Sequence, residues 1–171
     1  MFHDHSDIDP RFPPRRLVYS QLLVRDEHGH VLLVSDNLRD NKAWNLLTWR
    51  ARKDEPPHDA AVQAAHYEVG LDLDTTTLLV VDAVTAREDS TEALWFVFDG
   101  GTRTDTALDG LPEPGEMEDN LRFEDPEDIP LYCLESHQRI QRALDRITDP
   151  FAPIYLTNGH PPAATSYGVR G

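Results

Sequence analysis

From Leu17 onward the chain alternates short apolar runs with polar breaks, and the spacing predicts a succession of strands and helices. LVYSQLLVRD at 17–26 predicts a strand, EHGH a turn around Gly29, and VLLVS at 31–35 the antiparallel partner. After the polar loop DNLRDNK, AWNLLTWRA at 43–51 again reads as a strand. Trp44, Leu46 and Thr48 fall on one face and Asn45, Leu47 and Trp49 on the other, so both faces carry large apolar groups, as in a central strand. Residues 58–69 predict a helix: Asp59 sits in the first turn, alanines dominate, and Gly70 stands where a left-handed cap is wanted. Ala61, Ala65 and Val69 recur at four-residue spacing as its expected buried stripe.

Two further strands are predicted near 77–86 and 93–101, joined by a charged turn from Arg87 to Thr91. A long acidic loop follows from Thr102 to Asn120, then the short strand LRFED and an amphipathic helix from Leu134 to Ile147. That helix places Ile140, Leu144 and Ile147 on its apolar side and Arg139, Gln141 and Asp145 on the polar side. Residues 1–14 read as a flexible arm, 15–147 as the folded domain, and 148–171, with four prolines, as an extended tail. The tail segment IYLTNGHPP suits either folding back on the domain or exchange with a neighbouring copy.

A length of 171 residues fits one domain with a real core. The formal charge of −15, from 31 acidic against 16 basic side chains, repels a phosphate backbone and argues against nucleic acid as a partner. A small phosphorylated ligand stays compatible with that charge, through one positively charged pocket or through bridging cations. Cys133 is the only cysteine, which excludes an intramolecular disulfide and suits a reducing compartment. The acidic, proline-bearing N-terminus does not read as a targeting peptide, and no apolar run reaches the ~20 residues that span a bilayer. A cytoplasmic protein with no membrane partner is expected.

The stretch Trp49 to Leu71 keeps a specific spacing around Glu55, Glu68, Gly70 and Leu71. With Trp44-x-Leu46 just before it, the opening hairpin, ALWFVFDGG and LRFEDPEDIP, it resembles the Nudix hydrolases over residues 15–147. The resemblance implies a Nudix-type α/β/α sandwich with a mixed β-sheet. In that family the box reads glycine, five residues, glutamate, seven residues, arginine, glutamate, an aliphatic residue, any residue, two glutamates, any residue, glycine and an aliphatic residue. Here the box departs from the pattern, with Trp49 at the glycine, Gln63 at the arginine, Ala64 at the first helical glutamate, Ala65 at the aliphatic position and Tyr67 at the middle glutamate.

What the resemblance implies is water attack on the pyrophosphate of a nucleoside diphosphate-linked compound, with magnesium or manganese held by helix carboxylates. Only Glu68 and Glu55 survive as candidate catalytic residues and metal ligands, so a metal would be weakly bound. Glu116 or Glu118 could approach from the acidic loop. Trp49, Tyr67 and Arg50 are the candidate substrate-binding residues: the Trp49 indole either plugs the pocket or forms a stacking wall. Glu55 could be solvated, pair with Arg50, Arg52 or Lys53, or bind a cation. His66 is expected on another side of the helix from Glu68. The readings left open are an altered magnesium-dependent hydrolase, a catalytically inactive ligand- or partner-binding protein, and a metal-independent enzyme using Trp49, His66 and Tyr67. A homodimer is compatible with all three.

Overall fold

The computed structural model describes residues 16–35, 43–72, 77–88, 90–104 and 120–163. Its elements, in chain order, are β1 (Leu17–Arg25), β2 (Val31–Ser35), β3 (Trp44–Asn45), β4 (Leu47–Arg50), α1 (Pro57–Val69), β5 (Thr77–Val84), β6 (Ala93–Thr102), β7 (Leu121–Glu124), α2 (Ile129–Tyr132), α3 (His137–Thr148) and β8 (Tyr155–Thr157). The strands make one mixed sheet in the order β3-β2-β1-β6-β5-β8, with β4 paired to β1 and β7 to β2. β1 runs parallel to β6 and β5 parallel to β8, while the other pairings are antiparallel.

Alternation along β1 sends Leu22 and Val24 to one face and Leu23 to the other, and each face builds its own core. On one side Leu22, Val24, Leu32, Leu47 and Phe98 pack against Ala61, Ala64 and Ala65 of α1. On the other, Leu23, Leu33, Leu46 and Val97 pack against Ile129, Cys133, Ile140 and Ala143. The expected α/β/α sandwich with a mixed sheet is thus the observed one. Cys133 lies at the bottom of the second core, where burial and the nearby Glu124 push its thiol up to about 12.

Local chemistry explains the first turn and the end of α1. The first hairpin turns at Gly29 (φ 89°), and the Asp26 carboxylate accepts the His28 and His30 backbone N–H groups at 2.9 and 2.8 Å. Helix α1 ends at Gly70, φ 67°, whose N–H donates to the His66 carbonyl while the Leu71 N–H donates to that of Ala65.

Several expectations are corrected. AWNLLTWRA is two short strands rather than one: the Asn45 side-chain oxygen accepts the Leu46 N–H at 3.0 Å and the Gln21 amide at 2.7 Å, which breaks the ladder at Leu46. It is not a central strand either, because β3 pairs only with β2 and β4 only with β1. On α1 the buried stripe is Ala60, Ala61, Ala64 and Ala65, with Val69 half-buried at its edge. On α3, which begins at His137, Arg139 is buried rather than solvated. Part of the expected tail folds back as β8, burying Leu156 completely. The arm at 1–14 and the loop glutamates Glu116 and Glu118 lie outside the described residues.

Candidate functional site

The box occupies the turn from β4 into α1. Ala51 N–H donates to Val18, so antiparallel alternation makes Trp49/Ser20 and Leu47/Leu22 the hydrogen-bonded pairs with β1. Thr48 N–H therefore points away from β1, and its dipole acts to lower the pKa of the Glu68 carboxyl. Glu68 is exposed as a residue, yet desolvation by its surroundings, only partly offset by the Thr48 backbone N–H, pushes its pKa up to about 7.

The two most conspicuous departures in the box touch each other. Trp49 and Tyr67 stack with ring centroids 5.4 Å apart and an interplanar angle of 14°, and the Arg52 guanidinium lies 5.5 Å from the Trp49 ring centroid. Trp49 packs against the α1-side core, while Tyr67 is 66% exposed. An aromatic pair thus fills the positions where the family motif carries glycine and glutamate. His66 hydrogen-bonds Asp72 at 2.9 Å and meets the edge of Tyr67, away from the Glu68 carboxylate. Glu55 is committed locally: its Oε2 accepts the Arg52 N–H at 2.7 Å, closing a turn in which Asp54 adopts φ 62°.

Magnesium requires several oxygen ligands in octahedral geometry. Ala64 and Tyr67 offer no carboxylate, Glu55 already bonds a backbone N–H, and no three of His, Cys, Asp and Glu come together as a metal-holding group among the described residues. The box carboxylates described here do not fit the metal shell that the family motif implies.

A cavity of about 680 Å³ lies on the opposite face of the sheet, between β1, β6, β5 and the start of α3, and none of the box candidates lines it. Its wall is a second aromatic pair. Tyr19 and Trp95 are direct neighbours in the parallel β1–β6 register and stack 4.2 Å apart at 14°. The Arg139 guanidinium lies 4.3 Å from the Trp95 ring centroid and donates through Nε to Gln21 and through Nη1 to Asp82, both at 3.0 Å. The other Asp82 oxygen accepts the Gly159 N–H at 2.9 Å. Gly159, φ 81°, has to be glycine on space as well as angle, because a Cβ there would lie 2.9 Å from that of Gln138. Burial lowers the Arg139 pKa, and the facing Asp82 carboxylate opposes that shift.

Sequence reasoning singled out the Trp49–Leu71 stretch and missed this cleft. Tyr19 and Trp95 read as ordinary strand residues, and Arg139 as a polar-face residue. Only the parallel pairing of β1 with β6, some 76 residues apart in the chain, brings the rings together. A faint signal was present in the TLLVVDAVTA strand, where Asp82 interrupts an apolar run and demands a partner.

The sheet order, a helix layer on each face, and a strand–turn–helix box with a glycine cap define an α/β/α sandwich of the Nudix kind. No family model matches the chain, and no curated protein matches it. Solved structures do. The chain superposes on a MutT/Nudix family protein from Listeria innocua with TM-score 0.64 at 14% identity, covering 82% of this chain and 98% of that one. It superposes on the Nudix domain of Shewanella oneidensis NrtR, solved with ADP-ribose, with TM-score 0.60 at 13% identity over 86% and 99% of the two chains. An ADP-ribose pyrophosphatase from Streptococcus suis gives TM-score 0.56 at 14% identity over 84% and 99%. At these identities the likeness is one of fold, and the fold is Nudix.

Proposed function

We propose that this protein binds a nucleoside diphosphate-linked small molecule in the cleft between the sheet and α3, and that the remodelled box is a structural element rather than a magnesium site. The observation that carries the reading is the Tyr19–Trp95 stack inside a 680 Å³ cleft. That volume lies within the range of ~300–1,000 Å³ typical of small-molecule sites, and paired rings give a planar group a face to stack on. Asn45, Asn158 and the Arg139–Asp82 pair supply polar groups to orient such a ligand. The fold neighbours named for ADP-ribose support the choice of ligand class. The test is thermal denaturation with ADP-ribose and related nucleoside diphosphate compounds in the presence of a chelator. A rise in melting temperature that Tyr19→Ala removes is expected; a rise that requires magnesium and survives Tyr19→Ala contradicts the reading.

A second reading, weak hydrolysis of the same compounds, is favoured by one observation: a carboxylate with a pKa near 7 can accept or donate a proton at neutral pH. Its test is product release from a panel of nucleoside diphosphate-linked compounds with magnesium or manganese. Turnover lost both with chelator and with Glu68→Gln would restore the box as a metal-dependent catalyst.

A further inference from the structure

A smaller cleft of about 360 Å³ opens on the α1 side of the sheet, beside the loop that leads from β4 into α1. Its floor is apolar. Leu94 and Phe96 point to the same face of β6, and Val18 lies directly opposite Leu94 in the parallel register. Its rim is cationic, with Arg50, Arg52 and Lys53 in one short stretch of loop. Arg16, also at the rim, is neutralised by Glu92 at 3.1 Å, and Arg52 is held near the Trp49 ring. The one acidic residue lining the cleft, Glu55, bonds the Arg52 backbone through one of its oxygens. Arg50 and Lys53 have no ion-pair partner among the described residues, in a protein of net charge −15.

We propose that this cleft is a second binding site, distinct from the one on the α3 face, for a phosphate monoester carrying a compact apolar or aromatic group. The apolar body lies on Leu94 and Phe96 and the phosphate meets Arg50 and Lys53. A dianion is favoured over a carboxylate because two cations with no ion-pair partner among the described residues line the cleft, and charge-assisted hydrogen bonds to phosphate suit both side chains. The acidic surface elsewhere does not prevent this: at physiological salt, charges beyond ~8 Å are largely screened, so the local cations dominate inside the cleft.

The test uses the full chain and three probes, phenyl phosphate, inorganic phosphate and phenol, titrated by calorimetry at physiological salt. Phenyl phosphate is expected to bind at least about tenfold tighter than either fragment, since it alone uses both floor and rim. Arg50→Glu with Lys53→Glu is expected to weaken it at least about tenfold, and Leu94→Trp, which fills the floor while leaving every charge in place, to abolish it. Tyr19→Ala is expected to leave it unchanged, which separates this site from the cleft on the α3 face. The proposal is overturned by absence of saturable phenyl phosphate binding, by equal affinity for inorganic phosphate, by binding indifferent to both the charge and the floor variants in folded protein, or by loss of binding in Tyr19→Ala.

Discussion

Replacing Arg139 by methionine isolates the interaction that ties α3 to the sheet beneath the larger cleft. The Arg139 and Asp82 side chains are 6% and 2% exposed and meet at 3.0 Å. Methionine keeps most of the aliphatic volume but leaves Asp82, among the described residues, with only the Gly159 N–H. Breaking a buried pair from one side costs about 3–5 kcal/mol, because a buried charge is left uncompensated. Against a total stability of ~5–15 kcal/mol, and at ~2–4 °C per kcal/mol for a chain of this size, the melting temperature should fall by roughly 6–20 °C. Adding Asp82→Asn removes the stranded charge and should recover at least about 2 kcal/mol of that loss. The assay is urea denaturation followed by circular dichroism at neutral pH, repeated in high salt, which screens a buried pair little. A loss below about 1 kcal/mol, or a double variant no more stable than Arg139→Met, would refute the assignment of Arg139 as the neutralising partner.

Other outcomes follow from the same geometry. Glu68 titrates near 7 in the folded protein against 4.5 for a free glutamate, so the folded state holds the extra proton between those values. Its contribution to stability is present in full below pH 4.5 and is lost as pH rises through 7. Glu68→Gln should therefore flatten the fall in melting temperature across that window, and an unchanged pH profile would show that the carboxyl is fully hydrated. Trp49→Ala and Tyr67→Ala should be coupled by about 0.5–1.5 kcal/mol in a double-mutant cycle, the worth of a stacked pair. Additive effects would mean the rings pack independently. Gly100→Ala should cost about 1–3 kcal/mol by overpacking: Gly100 is the extra residue where the β1–β6 register shifts, and a Cβ there would sit 2.7 Å from Val24 Cγ2 and 3.0 Å from the Leu23 carbonyl. Equal stability to the parent in urea would show that the bulge relaxes freely.

The hairpin, α1 with its glycine cap, and the two long strands were legible because period, capping and turn chemistry are local properties of sequence. The split at Leu46 was not, since it depends on Gln21 reaching Asn45 from 24 residues away. Arg139 was misplaced for a similar reason: its position on the helix looks polar, and only the Asp82 carboxylate on β5 makes burying it tolerable. The resemblance correctly placed the fold. It could not show that Trp49 and Tyr67, each an isolated departure in sequence, are one stacked unit.

Hydrogen exchange with and without ADP-ribose, in the presence of a chelator, tests the central claim most directly. Ligand bound against Tyr19 and Trp95 should slow exchange in residues 93–97 and in residues 134–139, which lead into and begin α3, with little change at 49–55 and 66–70. Protection confined to the box segments, or protection that appears only when magnesium replaces the chelator, would contradict the account and return the function to the box.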